Sequence, residues 1–445
     1  MTPKLTVSGY RGIWGDTLNP IIARKYFEGF AQFLKVRYSS KIIIARDTRS
    51  SGKELLKIAT DVFTSIGIDI VDIGITPTPT VLYLVRKYGY DGALMITASH
   101  NPIKYNGLKF ITSSGLFTNE EEVREINLYL NNDLDAVEMT GECIEDTKLP
   151  FEHMEHILEN IDVESIRNKK IKVVLDTING TGAITTPALL EKLGCEVTMI
   201  NGVPDGNFAH IPEPLPQNLS QLGEKVREVG ADIGFAQDPD ADRLVICDEK
   251  GQIVFEEYSL SLAILSVLEK EKGSITINMS SSNTNKDIAR QFGCETFRTK
   301  VGEANVVNGI IENNSVIGGE GSGGIIYPKI NTARDSLVGI AIILELLARS
   351  NKKVSELISD LPKYEMHKEK ISFTGNLENL YTEIKKNFQN SNSNELDGLR
   401  IDFSDSSWLH IRPSNTEPIV RLIIEAKTKE RIGEILETVK NITSK

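Results

Sequence analysis

The stretch KIIIARDTRSSG, residues 41–52, joins a short apolar segment to a polar turn that ends in glycine. A helical pattern follows to Ile66, and after a glycine a second apolar segment covers residues 68–71. This order is typical of a βαβ unit, in which a helix connects two parallel strands and a glycine ends the helix. The same order begins again at Ile171 and at Gly273. Three copies predict three similar α/β domains with mixed or parallel sheets.

The last part of the chain has a different pattern. Two strand-like segments, residues 408–411 and 419–424, flank the loop RPSNTEP, and residues 429–442 have the periodicity of an amphipathic helix. We therefore predict a smaller α+β domain at the C-terminal end, after the three α/β domains. The predicted domains cover residues 1–150, 151–252, 253–364 and 365–445.

Composition excludes several classes of function. Of 445 residues, 40% are apolar and 25% are charged, as is usual for a globular chain. The net charge of −12 and the lack of a basic cluster exclude nucleic acid as a partner, so an anionic ligand must be held by local cations. The longest apolar run, residues 337–348, is too short to cross a membrane and predicts a buried helix. Four widely spaced cysteines and the lack of a signal sequence predict reduced thiols in a cytoplasmic protein.

The segment TASHNP, residues 97–102, follows the apolar run GALMI. It places Ser99 where a buried strand breaks into a polar turn, with His100 beside it and Lys109 ten residues later. Such a turn can hold a hydroxyl group in a cleft, close to a cation and a proton carrier. The alternative is an ordinary turn of serine, asparagine and proline, with a solvated histidine.

The segment DPDADR, residues 238–243, follows a second apolar run. Its carboxylates, Asp238, Asp240 and Asp242, occupy alternate positions and suit a hard divalent cation, with Mg²⁺ as the expected ion. A calcium-binding EF-hand loop is excluded because Arg243 replaces the glycine of its sharp turn. An aspartate-nucleophile phosphatase, with Asp238 as the nucleophile, remains an alternative.

Two further segments carry no predicted site. Residues 131–150 are acidic and lack periodicity, which predicts a linker. His153 and His156 form an HxxH pattern without a third ligand nearby, and we predict a solvated helix face there in place of a metal site.

Four motifs together carry a family resemblance: TASHNP, DPDADR, GGEGSGG at residues 318–324 and RPSNTEP at residues 412–418. They resemble the α-D-phosphohexomutase family, in the family's order and over nearly the whole chain, and most closely the phosphoglucosamine mutases. The resemblance implies a four-domain, heart-shaped architecture around a central cleft. It also implies a phosphosugar substrate, with no nucleic acid and no membrane as partners, in a monomer or a homodimer.

The resemblance implies that Ser99 carries a phosphoryl group and shares Mg²⁺ with the aspartate loop. Arg11 lies in an Arg-Gly turn where the family has an active-site arginine, and it is expected to steady the phosphoryl group together with His100 and Arg243. Lys109 is the candidate proton carrier, because a lysine close to another cation gives up its proton more readily. The predicted catalytic residues are Ser99, His100, Lys109, Arg11 and Arg243. The predicted metal ligands are Ser99, Asp238, Asp240 and Asp242.

The glycine-rich motif is expected to bind the sugar. It formally matches GxGxxG, but a strand-like run follows it where a dinucleotide site needs a helix. Gly324 stands where the commoner family pattern has histidine, which shifts the acid/base role to Lys109 and His100. A glycine at this position resembles one branch of the phosphoglucosamine mutases and favours an amino sugar.

The C-terminal motif offers arginines, hydroxyl groups and turn amides for a phosphate that does not react. A family loop near Lys300 is expected to contact the substrate. The predicted substrate-binding residues are Glu320, Ser322, Lys300, Arg412, Ser414, Asn415, Thr416 and Arg421.

The predicted reaction interconverts hexose 6-phosphate and hexose 1-phosphate through a phosphoserine enzyme and a 1,6-bisphosphate intermediate. Glucosamine 6-phosphate is the expected substrate, with Mg²⁺ and a hexose 1,6-bisphosphate primer as cofactors. Phosphomannomutase or phosphoglucomutase activity is the nearest alternative. A magnesium-dependent aspartate-nucleophile phosphatase and a non-catalytic phosphosugar-binding protein are alternatives of other classes.

Overall fold

The structure is a computed structural model that describes residues 4–37, 40–130, 140–389, 391–413 and 419–443. Within these residues four β-sheets follow one another along the chain. Three of them combine parallel and antiparallel strands with helices, and the fourth is antiparallel. The predicted class of three α/β domains and a C-terminal α+β domain is therefore confirmed, while the predicted boundaries at residues 150, 252 and 364 stay predictions.

The first sheet has six strands in the order β1-β5-β4-β2-β3-β6. The predicted βαβ unit forms, because β2 pairs in parallel with both β3 and β4. Phenylalanine rings from two helices and one strand fill the core on one face of this sheet. The strands are β1 (Tyr10–Ile13), β2 (Lys41–Arg46), β3 (Asp69–Ile75), β4 (Gly92–Ile96), β5 (Tyr105–Thr112) and β6 (Cys143–Glu145). The helices are α1 (Pro20–Lys35), α2 (Gly52–Ser65), α3 (Thr78–Tyr88) and α4 (Glu120–Tyr129).

Strand β6 lies inside the segment that the sequence predicted to be a linker. Its three residues pair in parallel with β3 at the edge of the first sheet, and all three are exposed. An exposed edge strand of this length has no alternation of apolar and polar residues, so the sequence carries no signal for it.

The second sheet has the order β10-β9-β7-β8, and β9 and β10 form an antiparallel hairpin. The connection of this hairpin is the DPDADR segment, which places three carboxylates at one edge of the sheet. The strands are β7 (Lys172–Asp176), β8 (Glu196–Ile200), β9 (Ile233–Gln237) and β10 (Leu244–Cys247). The helices are α5 (Phe151–Glu159), α6 (Val163–Lys169), α7 (Gly182–Lys192) and α8 (Ser220–Val229), with a 3-10 turn at Pro216–Asn218.

The third sheet has the order β12-β11-β13-β14 and shares one continuous apolar core with the second domain. The apolar run at residues 337–348 lies in α12, which is buried over most of its length as predicted. The strands are β11 (Ile275–Asn278), β12 (Thr296–Thr299), β13 (Ile317–Glu320) and β14 (Gly324–Ile326). The helices are α9 (Glu257–Leu268), α10 (Asn283–Gln291), α11 (Glu303–Glu312), α12 (Ser336–Ser350) and α13 (Val354–Asp360).

The fourth sheet is antiparallel, in the order β15-β19-β18-β17-β16, and has an apolar core of its own. The strands are β15 (Glu365–Ser372), β16 (Asn392–Asn394), β17 (Leu399–Asp402), β18 (Trp408–Pro413) and β19 (Ile419–Ala426). The helices are α14 (Leu377–Asn387) and α15 (Lys429–Thr443). Among all helices of the described ranges, none combines the length and the apolar character needed to cross a lipid bilayer.

The prediction that His153 lies on a solvated helix face is wrong. Its side chain is completely buried, because α5 packs against α3 of the first domain and α12 of the third. One ring nitrogen lies 3.0 Å from the Thr80 hydroxyl and the other 3.1 Å from an Asp335 carboxylate oxygen. His153 lies where three domains pack against one another. The local HxxH pattern does not indicate domain packing, so the sequence could not predict that this residue is buried. His156, on the same helix, is partly exposed.

Candidate active site

Ser99 begins the turn that follows β4, and the structure places it against the aspartate loop of the second domain. Its side-chain oxygen lies 3.2 Å from Asp238 Oδ2 and 3.2 Å from His100 Nδ1. The backbone at Ser99 has a φ of 50°, in the left-handed region that residues with a side chain rarely adopt. Such strain persists only where the surroundings hold the turn firmly, and it is common at functional sites.

Arg49 is the group that holds this turn, and the sequence analysis did not single it out. Its guanidinium donates hydrogen bonds to the carbonyl oxygens of Ser99, Asn101 and Pro102, at 2.7, 2.8 and 3.0 Å. Asp47 accepts a further bond from Arg49 Nε at 2.9 Å, in a fully buried ion pair. The available signal was the polar turn after β2, since β2 and β4 are parallel neighbours whose carboxyl ends meet at one edge of the sheet.

The aspartate loop concentrates negative charge in the interior. Asp238, Asp240 and Asp242 are all buried, and a carboxylate oxygen from each lies within 4.8 Å of the others. Burial, reinforced by the two neighbouring carboxylates, raises the pKa of Asp238 well above its ordinary value. Asp238 Oδ1 accepts hydrogen bonds from the backbone amides of Asp242 and Arg243, which shape the loop.

This cluster has the properties of a divalent-cation site. The Oδ1 atoms of Asp240 and Asp242 are buried and accept no hydrogen bond. A buried carboxylate oxygen without a partner is costly, and oxygen ligands of this kind suit Mg²⁺. In the part of the chain that the structure describes, this is the one acidic, histidine or cysteine cluster with the spacing of a metal site.

Two cations from other domains compensate the aspartates. Lys109 Nζ lies 2.8 Å from Asp240 Oδ2 and 4.0 Å from Asp242 Oδ2. Burial would raise the pKa of Asp240, but the Lys109 charge and the hydrogen bonds from Lys109 and the Thr78 hydroxyl lower it below its ordinary value. The second cation, Arg334, donates from Nη2 to Asp242 Oδ2 at 2.6 Å. We call Ser99, Lys109 and the three aspartates the serine centre.

Two arginines close to the Ser99 turn have a buried donor that makes no hydrogen bond. Burial, with the charges of Arg243 and Arg11, lowers the pKa of His100 to about 2, so its imidazole is neutral at pH 7. Arg11 donates from Nη1 to Asn101 Oδ1 at 3.1 Å. The Nε atoms of Arg11 and Arg243 are buried and donate no hydrogen bond. Unsatisfied buried donors around a serine indicate a place for an anion.

The predicted sugar loop is the turn between β13 and β14, so a strand follows it as expected. Glu320, at its start, accepts bonds from Asn278 Nδ2 at 2.9 Å, the Gly302 amide at 2.8 Å and Arg334 Nη1 at 2.8 Å. Although burial opposes ionisation, the Arg334 charge and these bonds lower the pKa of Glu320, which is therefore a charged acceptor. Ser322 is half-buried in the turn, and Lys300 is exposed just beyond β12.

In the predicted phosphate loop, Ser414, Asn415 and Thr416 lie outside the described residues. Arg412 and Arg421 stand directly opposite each other in the antiparallel pair β18–β19, and we call them the arginine pair. The pKa of Arg412 is lowered, chiefly by burial and also by the charge of Arg421, although Asp397 and Glu320 act in the opposite direction. Like charges at opposed positions are destabilising unless an anion lies between them.

Comparison with known proteins agrees with this arrangement. Family models of the phosphoglucomutase/phosphomannomutase α/β/α domains I, II and III match residues 3–135, 151–251 and 256–364, and that of the C-terminal domain matches residues 375–442. The chain belongs to the α-D-phosphohexomutase family. This phosphohexomutase is accordingly an isomerase of the mutase type.

A phosphoglucomutase/phosphomannomutase of Thermococcus kodakarensis is 38% identical over 442 residues, which cover 96% of each chain. A probable phosphoglucosamine mutase of Methanopyrus kandleri is 34% identical over 437 residues, 96% of this chain and 95% of that one. The crystal structure of a phosphoglucomutase/phosphomannomutase family protein from Burkholderia thailandensis has a TM-score of 0.87 at 26% identity and covers 98% of this chain and 95% of its own. The similarity therefore extends over all four domains.

Proposed function

We propose that this phosphohexomutase interconverts hexose 6-phosphate and hexose 1-phosphate, with Ser99 as the carrier of the phosphoryl group. The observation that carries the proposal is the position of the Ser99 hydroxyl, 3.2 Å from Asp238 Oδ2, in a turn that Arg11 contacts through Asn101. The Nε atoms of Arg11 and Arg243 are buried donors without an acceptor. A phosphoryl group on that oxygen provides acceptors for those donors.

The proposed cycle has two transfers. The free hydroxyl of the bound monophosphate attacks the phosphorus on Ser99, loses its proton, and the bond between phosphorus and Ser99 Oγ breaks. The resulting 1,6-bisphosphate reverses its orientation, and Ser99 Oγ then attacks the other phosphate. The bond between that phosphorus and its sugar oxygen breaks, the sugar oxygen is protonated, and the isomeric monophosphate leaves. We assign the proton transfers to Lys109 at the serine centre: its ammonium group gives a proton to Ser99 Oγ as that oxygen leaves, and the amine so formed takes the proton of the attacking hydroxyl. Arg11, Arg243 and the neutral His100 are assigned to hold the transferring group.

Asp238, Asp240 and Asp242, with an oxygen of the phosphoserine, are the proposed ligands of Mg²⁺. When bound, this ion offsets the negative charge of the transferring phosphoryl group. A hexose 1,6-bisphosphate is the proposed primer that loads Ser99.

The remaining residues of the site are assigned to the substrate. Glu320 accepts hydroxyl hydrogen bonds, with Ser322 and Lys300 beside the same part of the sugar. The arginine pair holds the phosphate that does not react, together with the loop at residues 414–416. Two separate anchoring points are needed because the sugar must present each end to Ser99 in turn.

Glucosamine 6-phosphate is the proposed substrate, based on Gly324 and on the name of the Methanopyrus kandleri relative. The name of the Thermococcus kodakarensis relative favours a second candidate, glucose or mannose phosphate. A cytoplasmic location and a monomeric or homodimeric state stay predictions, and the four unpaired cysteines support a reducing compartment.

The test is a turnover panel with Mg²⁺ and a trace of the matching 1,6-bisphosphate, in which kcat/KM is compared for glucosamine, mannose and glucose phosphates. Free phosphate is measured in the same samples. We expect isomer formation without phosphate release, and the highest kcat/KM with glucosamine phosphate. A preference for mannose or glucose phosphate would select the second candidate. Stoichiometric phosphate release without isomer formation would favour the phosphatase alternative.

A further inference from the structure

Arg334 lies in the connection between β14 and α12, and it joins three acidic side chains. Its Nη2 donates to Asp242 Oδ2 at 2.6 Å and its Nη1 to Glu320 Oε2 at 2.8 Å. Its Nε lies 3.2 Å from Glu303 Oε2, and its backbone amide donates to Glu303 Oε1 at 2.9 Å. One planar guanidinium thus connects the aspartate loop of the second domain to the sugar loop of the third.

The site is shaped around this arginine. A Cβ atom placed on Gly324 would lie 2.4 Å from Arg334 Cδ and 3.0 Å from its Cγ. Gly324 is the first residue of strand β14, and its backbone does not require glycine. The Arg334 side chain cannot move aside freely, because its guanidinium is anchored to three carboxylates. The glycine at position 324 therefore provides space for the stem of the arginine.

The charge of Arg334 also opposes a bound cation. It is held 2.6 Å from one oxygen of Asp242, and the other oxygen of that carboxylate is a proposed metal ligand. An ion on that oxygen would be repelled by the guanidinium, and at an effective dielectric constant near 20 this repulsion would exceed the equivalent of about tenfold in affinity. Arg334 thus orders the two loops at the expense of metal affinity.

We propose that Arg334 is a positioning residue that fixes the sugar loop against the aspartate loop, and that residue 324 is glycine in order to admit its side chain. This inference rests on the proposed function for the role of Glu320 in sugar binding. Its metal part can be tested without turnover. A merely structural role would weaken metal binding and turnover together, whereas the positioning role moves them in opposite directions.

The first experiment measures Mg²⁺ affinity by calorimetry, without sugar, and mutase kcat/KM for Arg334→Gln and Arg334→Lys. For Arg334→Gln we expect Mg²⁺ to bind at least about tenfold more tightly while kcat/KM falls by at least about tenfold. Arg334→Lys keeps the positive charge but loses the planar guanidinium that bonds to several carboxylates at once. The Mg²⁺ affinity should therefore stay within about twofold of the wild type, while kcat/KM still falls.

Arg349→Gln is the matched control, since Arg349 lies at the far end of α12 and pairs with Glu269 at 2.8 Å. It should change neither quantity. Circular dichroism and the melting temperature establish that each variant is folded. If Arg334→Gln binds Mg²⁺ more weakly or equally, or keeps kcat/KM within about twofold of the wild type, the positioning role is rejected. A wild-type protein without mutase turnover would overturn the proposed function, while the Mg²⁺ affinities would still decide the inference.

The second experiment is a double-mutant cycle between Gly324→Ala and Arg334→Ala. In the wild-type background we expect Gly324→Ala to lower kcat/KM by at least about tenfold, because the added methyl group displaces the arginine. In the Arg334→Ala background the same change should cost less than about twofold, since the space is then free. Equal costs in the two backgrounds would show that glycine is not there for the arginine.

Discussion

The serine centre and the arginine pair compensate their charges in opposite ways. At the serine centre the aspartates are buried, and Lys109 and Arg334 lie within hydrogen-bond distance of them. In the arginine pair two like charges stand opposite each other on neighbouring strands, and Arg421 is exposed. The first site is organised before any substrate arrives, as electrostatic catalysis requires. The second has a carboxylate nearby, with Asp397 Oδ2 3.9 Å from Arg412 Nη1, and under the proposed function the substrate phosphate completes it.

The two sites also differ in how they are anchored. The serine centre joins residues of the first and second domains, and Arg334 of the third domain contacts it through Asp242. The second and third domains also share one core. The arginine pair belongs to the fourth domain, which has a separate core. Polar contacts across that boundary include Ser280 with His410 and Asn283 with Glu425. Changes at the serine centre should therefore affect kcat, and changes at the arginine pair should affect KM.

The largest expected effect comes from Ser99→Ala. Removing the proposed phosphoryl carrier should lower kcat by about 10⁴-fold or more, since alanine has no hydroxyl that can accept the phosphoryl group. The melting temperature should stay near that of the wild type, because the Arg49 contacts use backbone carbonyls that the substitution keeps. Steady-state kinetics with Mg²⁺ and primer measure the loss. Ser114→Ala, at an exposed position, is the control. Near-normal turnover in Ser99→Ala would remove Ser99 from the mechanism.

The next effect comes from Arg49→Gln, which tests whether the serine turn is held in advance. Loss of the guanidinium leaves three carbonyl groups without their donor and the buried Asp47 carboxylate without its cationic partner. The free energy of unfolding should therefore fall by about 3 kcal/mol. We expect kcat to fall by about 100-fold with little change in KM, and Arg49→Lys should not restore it. Urea unfolding and kinetics give both values. The surface variant Arg37→Gln should leave them unchanged. An Arg49→Gln protein with normal kcat would mean that the turn holds its shape unaided.

A smaller effect, of the opposite kind, is expected for Arg421→Ala. The KM for the monophosphate should rise by about tenfold with a smaller change in kcat, because a phosphate contact is lost. Stability should not fall and should increase by about 0.5 kcal/mol at low salt, since a pair of like charges is removed. Kinetics and thermal unfolding at two salt concentrations measure these changes. Arg431→Ala, in the same domain, is the control. An unchanged KM would exclude the arginine pair from phosphate binding.

The last effect is on stability alone and concerns pH and His410, at the boundary of the third and fourth domains. Burial lowers its pKa to about 4, while Asp397 raises it and Arg400 and Arg412 lower it. A histidine in the unfolded chain has a pKa near 6.5. Between these two pKa values the unfolded chain binds a proton that the folded protein does not. The free energy of unfolding is therefore at its full value above pH 6.5 and decreases as the pH falls toward 4.

Between pH 7 and pH 5 the wild type should lose about 1–2 kcal/mol more stability than His410→Gln. Urea unfolding at several pH values gives this difference. Parallel curves for the two proteins would show that His410 does not titrate over this range.

Much of the fold was visible in the sequence because buried parallel strands read as apolar runs that end in polar turns. The glycines expected to end the three helices, Gly67, Gly194 and Gly293, have φ angles of 78°, 76° and 71°. Strand β6 was not predicted because its three residues are exposed and show no strand pattern. It is a strand only because it pairs with β3, which is distant in the sequence.

The residues that support the site were missed for a different reason. Arg49 bonds to a residue 50 positions away, and Arg334 to one 92 positions away. His153 is buried only because three domains meet at it. Such contacts depend on how strands are ordered and domains packed, and no local pattern records them. By contrast, Ser99 and the aspartates lie at strand ends, where a polar segment after an apolar run is visible locally.

The most direct test of the central claim is to locate the phosphoryl group. The protein is incubated with Mg²⁺ and a hexose 1,6-bisphosphate labelled in its phosphates, and the labelled peptide is identified by mass spectrometry. We predict acid-stable label on Ser99 that transfers to added monophosphate, and none in Ser99→Ala. Label on Asp238, or turnover by a protein that never becomes labelled on Ser99, would contradict the phosphoserine mechanism.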